Sequence, residues 1–159
     1  MQKSIVFAVL AVAGCSGWRM QPQPTATPTQ ETVNGITYHM PYGRPTRPFT
    51  PAVQVGNLLF VSGQIGTAPN AQGQVVPGGI QAETRQTLNN IRDVLEKSGS
   101  SMDRVVKCTV FMADMREWDA MNEVYMTFWP GNTPARSALG ANGVAVGARV
   151  EIECFAVAA

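Results

Sequence analysis

Between Phe49 and Ala159 the apolar residues change their spacing several times, which restricts the chain to a fold that mixes sheet with helix. Ala52 to Val55 and Leu58 to Ser62 read as strands around Gly56-Asn57, a hairpin pair because both residue types tolerate a positive φ. Leu58-Leu-Phe-Val61 has no polar alternation, which predicts a strand buried on both faces. Ile80, Thr84, Leu88, Ile91 and Leu95 then recur at helical spacing, and Ser98-Gly99 supplies a stop. Val105 to Met112 (VVKCTVFM) returns to a β-branched run. Trp118, Met121, Val124, Tyr125 and Phe128 form a second helical stripe, ended by Pro130-Gly131. Ser137 to Leu139 reads as a short strand and Arg149 to Ala158 as a longer one. The predicted order is β-β-α-β-α-β-β, an α+β fold whose mixed sheet carries two helices on one face. About 110 residues so arranged bury roughly two-thirds of their unfolded surface, enough for a modest core. The second sheet face needs a partner, and self-association is the simplest source of one.

The preceding residues differ in kind. Met1-Gln-Lys3 leads into Ile5 to Ala13, an apolar run well short of the ~20 residues that a membrane-spanning helix needs. It reads as a secretory signal over residues 1–14. Val12-Ala-Gly-Cys15 resembles the lipobox of bacterial lipoproteins, which implies cleavage before Cys15 and its lipidation. Ser16, rather than Asp, then implies sorting to the outer membrane, facing the periplasm. Ala11-Val-Ala13 also fits ordinary secretion of a soluble periplasmic protein, and a true start further downstream would explain the run without export. Seven of the 11 prolines lie between Pro22 and Pro51, so residues 15–48 read as a Pro/Thr/Gln-rich tether ahead of a domain at 49–159. Val33 to Met40 is a candidate edge strand inside it. His39, the single histidine, has no partner pattern beside it and suits packing or the surface.

Charge and motif exclude several chemistries. Twelve Lys and Arg against 11 Asp and Glu leave a formal charge of +1, which gives no electrostatic footprint for a nucleic-acid backbone. No CxxC pair or Cys/His cluster offers zinc geometry, so no metal is expected. There is no GxSxG elbow, Walker loop or HExxH motif, and Gly63-Gln-Ile-Gly66 leads into loop rather than helix, so no cofactor is implied. Thr133-Pro-Ala-Arg136-Ser137 sets an arginine after a rigid turn, at the start of a candidate strand. Glu151 lies on the last strand, with Glu153 on the same face. An arginine and a carboxylate at a sheet-edge cleft suit a small carboxylic acid and an activated water, although a surface ion pair accounts for the same residues. Cys108 and Cys154 fall on predicted strands. They fit buried thiols or, in an oxidising compartment, a disulfide if their Cα atoms lie ~4.4–6.8 Å apart.

Over 49–159 the chain resembles the reactive-intermediate deaminase (RidA/YjgF) family. The segments that carry the resemblance are Pro51-Ala-Val-Gln-Val-Gly-Asn57, Val61-Ser-Gly-Gln-Ile65, Thr84-Arg-Gln-Thr87, Leu88-Asn-Asn-Ile91 and Val105-Val-Lys107. Thr109-Val-Phe-Met112, Asn122-Glu-Val-Tyr125, Pro134-Ala-Arg-Ser137 and Val150-Glu-Ile-Glu153 follow in family order. The resemblance implies a chorismate-mutase-like α+β fold and a homotrimer with an inner barrel and clefts between subunits. It implies hydrolysis of reactive 2-imino acids, such as 2-iminopropanoate and 2-iminobutanoate, to 2-oxo acids and ammonia, without metal or cofactor. Arg136 matches the arginine that grips the substrate carboxylate, and Glu151 the carboxylate that activates water. Asn122 and Gly63 match cleft-lining positions, with plain structural roles in helix packing and close backbone approach as alternatives. Phe49 stands where many members carry Tyr, and Ala138 where some carry Cys, a position expected to act through its backbone carbonyl. Leu139 to Gly147 lacks the acidic and Leu-Pro-Lys elements common there, which bears on pocket width. The competing expectation is a non-catalytic, lipid-tethered trimer that captures small carboxylates in the same clefts. A nucleic-acid partner is not expected, and membrane attachment rests on the lipid alone.

Overall fold

The computed structural model describes residues 27–68 and 73–159. Nine main elements follow in order: β1 (Thr29–Val33), β2 (Ile36–Met40), β3 (Ala52–Val55), β4 (Leu58–Ile65), α1 (Gly79–Lys97), β5 (Val105–Met112), α2 (Trp118–Met126), β6 (Ala135–Gly140) and β7 (Val150–Val157). The strands form one seven-stranded sheet in the order β1-β2-β3-β4-β7-β5-β6. Neighbours are antiparallel except β5 and β6, whose parallel pairing requires a crossover that α2 supplies. From β3 onward the order is the expected β-β-α-β-α-β-β.

Both helices lie on one face of this sheet. Ile80, Thr84, Leu88, Ile91 and Leu95 are buried along α1, and Thr87 and Val94 widen the stripe. Val150, Ile152, Cys154 and Ala156 of β7 and Cys108, Val110 and Met112 of β5 meet them, as the period of two requires. Helix α1 runs close to the sheet at Gly66, where an added Cβ would stand 2.8 Å from the Glu83 Cα. The buried Glu83 carboxylate accepts the Arg149 backbone N–H at 2.7 Å and stands 3.7 Å from the Arg149 guanidinium. That contact ties α1 to the entry of β7.

Two expectations need correction, and one open alternative is decided. Leu58 and Phe60 are 42% and 37% exposed in the single chain, so within one chain β4 is buried on one face only; both helices pack on the Leu59 and Val61 side. The sheet also begins at Thr29, inside the stretch read as tether. Asn34 and Gly35 turn β1 into β2 with φ of 50° and 78°, the pair of left-handed residues that a type I′ hairpin demands. Ile36 to His39 then pair with Val55 to Ala52, and His39 is buried with Nε2 3.0 Å from Gln54 Oε1. A tether over 15–48 is therefore too long at its C-terminal end. The open alternative concerns the cysteines, which fit either buried thiols or a disulfide. Cys108 and Cys154 are directly opposed on β5 and β7 and form a buried disulfide, with Cα atoms 4.1 Å apart, slightly closer than the expected range of ~4.4–6.8 Å. The expected signal, its cleavage site and Cys15 lie outside the described residues.

Candidate functional site

The six residues singled out from sequence fall into two groups on opposite faces of the sheet. Phe49, Gly63 and Glu151 line one cleft of about 350 Å³, together with Arg47, Ser62, Ile65, Ala145 and Glu153. Arg136, Ala138 and Asn122 gather at the other, where α2 covers the edge strand β6. Sheet register explains the split. Arg136 pairs laterally with Cys108, whose side chain faces the helices, whereas Glu151 pairs with Phe111 on the open face. An arginine and carboxylate converging in one cleft of a single protomer is thus not what the chain builds.

On the open face, β4 and β7 bring the Glu151 carboxylate against the backbone of Gly63. A Cβ at Gly63 would collide with the Glu151 carboxylate, so glycine is required for close approach to a charged side chain. The β4–β7 register shifts between Val61 and Gln64, an irregularity that falls at Gly63 and re-aims the strand there. Partial burial pushes the Glu151 carboxyl above the ordinary carboxylate range, and the like charge of Glu153 adds to the effect. A carboxylate so raised accepts a proton more readily, as a general base must. Phe49 stands at the cleft mouth, apolar and exposed. Ala145 forms part of the wall beside Val146, a β-branched residue held at φ 51°.

On the helix face, Arg136 is half-buried. Its Nη1 donates to Asn122 Oδ1 at 2.7 Å, and its guanidinium carbon lies 4.8 Å from the Trp118 ring centre and 4.6 Å from that of Tyr125. Asn122 thus serves the arginine rather than only capping helix packing. Ala138, next but one along β6, packs partly against the core. Burial pushes the Tyr125 phenol up to about 12, with Arg136 pulling in the opposite direction, so the ring meets the cation as a neutral group.

Sequence reasoning did not place Arg47, Ser62 or Ala145 in the Glu151 cleft, nor Trp118 and Tyr125 on Arg136. The last two stood in the helical stripe as packing residues, and their seven-residue separation was the available signal. Among the described residues no group of three or more His, Cys, Asp or Glu side chains is arranged to hold a metal ion. Among the same residues no helix is long and apolar enough to cross a membrane.

The model of the family described as Endoribonuclease L-PSP matches residues 41–158. The chain is 43% identical over 110 residues to the mouse (Mus musculus) 2-iminobutanoate/2-iminopropanoate deaminase, covering 69% of this chain and 81% of the relative. The human (Homo sapiens) protein of the same name is 38% identical over 110 residues, covering 69% and 80%. Among solved structures, yeast Mmf1 superposes with a TM-score of 0.69 at 32% identity, covering 72% of this chain and 90% of that one. The structure titled E. coli TdcF with bound serine gives 0.67 at 30%, covering 72% and 91%. These matches take in both clusters, on Arg136 and on Glu151, together with the sheet that separates them, and the chain therefore belongs to the L-PSP endoribonuclease family, the RidA/YjgF proteins.

Proposed function

We propose that this protein hydrolyses reactive 2-imino acids, of the size of 2-iminopropanoate and 2-iminobutanoate, to 2-oxo acids and ammonia. The observation that carries this reading is the Glu151 carboxylate, raised and partly desolvated, seated against Gly63 in an open cleft. The names borne by relatives at about 40% identity supply the substrate class. Water held by Glu151 attacks C2 of the protonated imine while the carboxylate takes up its proton. The same proton then goes to the nitrogen, and as the C–N bond breaks the departing ammonia takes up the C2 hydroxyl proton, so that ammonium and the 2-oxo acid are released. Nothing is oxidised or reduced, and Glu151 ends as it began. The substrate carboxylate is gripped by Arg136, whose planar fork suits two parallel hydrogen bonds.

Because Arg136 and Glu151 occupy opposite sheet faces of one protomer, the complete site takes Glu151 from one chain and Arg136 from a neighbour. We propose a homotrimer on that ground, its protomers closing their open sheet faces into an inner barrel. Val55, Leu58 and Phe60 give that face the apolar character that a buried interface requires. Export belongs to the same proposal. The signal-like run and Cys15 are expectations from sequence, and the Cys108–Cys154 disulfide favours an oxidising compartment such as the periplasm. Mass spectrometry of the mature N-terminus tests the lipid: a diacylglyceryl mass on Cys15 is expected, and an unmodified chain starting at Gly14 would remove it from the account.

The test of activity is release of ammonia and 2-oxo acid from imines generated in place by an amino-acid oxidase, with semicarbazide trapping the imine that escapes. Wild-type protein suppresses the semicarbazone, and Arg136→Ala does not. Tight binding of 2-oxobutanoate without faster imine loss would instead identify a capture module.

A further inference from the structure

Helix α2 presents three side chains to Arg136 at a spacing that leaves little to chance. Trp118, Asn122 and Tyr125 stand at i, i+4 and i+7, one stripe over two helical turns. The two rings flank the guanidinium at 4.8 and 4.6 Å, inside the ~6 Å reach of a cation–π contact, and the amide oxygen between them takes one N–H. Arg92 has one ring, Phe128, and the Asn89 amide oxygen, whereas Arg136 has two rings; three further arginines are paired with carboxylates. Arg149 is matched by Glu83 and Glu117, Arg116 by Asp114, and Arg44 by Glu31. Among the described residues Arg136 forms no ion pair, and Asn122 is its one hydrogen-bonding partner. Its orientation is set by neutral groups, so its charge stays available to an anion.

We propose that Trp118 and Tyr125 are positioning residues, an aromatic clamp that holds the Arg136 fork in the plane needed to receive the substrate carboxylate. This rests on the role given to Arg136 above and adds the device that presents it. Ring faces stabilise a cation without donating or accepting a competing hydrogen bond, so Nε and Nη2 remain free for the two carboxylate oxygens. An unclamped arginine on an edge strand would have to be ordered by each arriving substrate, which weakens binding. The clamp therefore acts on affinity and leaves the proton transfers at Glu151 to proceed at their own rate.

The experiment compares Trp118→Leu, Trp118→Phe, Tyr125→Leu and Arg136→Ala in the full chain. It measures calorimetric binding of 2-oxobutanoate together with KM and kcat for oxidase-generated 2-iminobutanoate. Trp118→Leu is expected to raise Kd and KM together about tenfold while kcat moves by no more than about twofold, and Trp118→Phe, which keeps a ring face, to restore most of the loss. Phe128→Leu is the control for simple loss of packing. It removes a ring just past the end of α2 that stacks on Arg92 instead, and it lowers thermal stability with Kd unchanged. Should Tyr125→Leu fail to fold, the half-exposed Trp118 carries the test alone. Fluorescence adds a readout in the wild type, since emission that changes with ligand and is lost in Trp118→Phe reports on this indole. Wild-type affinity in Trp118→Leu, or a fall in kcat with KM unmoved, overturns the clamp. So does a Trp118→Phe no better than the leucine variant. If the wild type binds 2-oxobutanoate through Arg136 yet does not hydrolyse imines, the deaminase proposal fails while the Kd series still decides the clamp. If Arg136→Ala binds as well as wild type, both fall.

Discussion

At Gly63 the chain forgoes a side chain where the Glu151 carboxylate needs the space, so the smallest possible enlargement has a large expected effect. Gly63→Ala must push Glu151 aside, and a shift on the order of 1 Å at a catalytic group costs roughly 10²-fold in rate. The expected result is a kcat/KM lower by about that factor in a protein that still melts cooperatively; near wild-type turnover would show that Glu151 is not the reacting group. Glu151 itself carries a second prediction, through pH. Its folded pKa is raised, first by desolvation and then by Glu153, so the native state holds this proton more tightly than the unfolded chain does. Stability from this group is complete below the ordinary carboxylate range and is lost as pH rises through the raised value. Glu151→Gln removes the loss. Calorimetry should find the variant with a higher Tm than wild type at pH 7 and the same Tm near pH 3, even though it has lost turnover. The wild-type acid limb of kcat/KM should likewise lie above the usual carboxylate pKa. A variant less stable than wild type at neutral pH would contradict the sign.

Among the elements, β5 and β7 are joined twice, by their ladder and by the Cys108–Cys154 bridge. The bridge lies in the lateral row that runs from Arg136 through Cys108 and Cys154 to Val61, so it braces the strand next to the arginine. Its two cysteines are 46 residues apart, and closing a loop of that size in the unfolded chain is worth about 4 kcal/mol in the chain-entropy model. Replacing both cysteines with alanine should lower the urea unfolding free energy by about 2–4 kcal/mol, and an unchanged midpoint would mean that the bridge does not form in solution. This pairing was beyond what sequence alone could decide, because strand register is set by tertiary contacts. Elements with a strong period were legible: the α1 stripe from Ile80 to Leu95 and the run Val105 to Met112 appear where the spacing put them. The β1–β2 hairpin was obscured by the surrounding prolines, although Asn34-Gly35 was a turn signal in plain view. For the candidate site, the sequence named residues but not their division between the two sheet faces. Parity along β7 is visible in sequence, whereas the face of β6 that carries Arg136 depends on its parallel register with β5.

For the whole molecule, the separation of Arg136 from Glu151 becomes a statement about assembly. In the proposed cyclic oligomer, built from heterologous contacts, the β6 edge of each protomer would lie beside the open face of the next, and every site would take one residue from each of two chains. Two inactive variants, Arg136→Ala and Glu151→Gln, then carry complementary defects. Mixed by co-expression in equal amounts and assembled at random, about one site in four combines an intact Arg136 with an intact Glu151, and activity should return to about a quarter of wild type. The same two proteins purified apart and mixed without subunit exchange should stay inactive. If each protomer worked alone, no mixture could recover any activity, because every chain would lack one of its two groups. Sedimentation of the wild type at three times the chain mass completes the test. A monomer that nevertheless hydrolyses imines would require a carboxylate grip other than Arg136, and Arg47, the cation lining the Glu151 cleft, would be the residue to replace next.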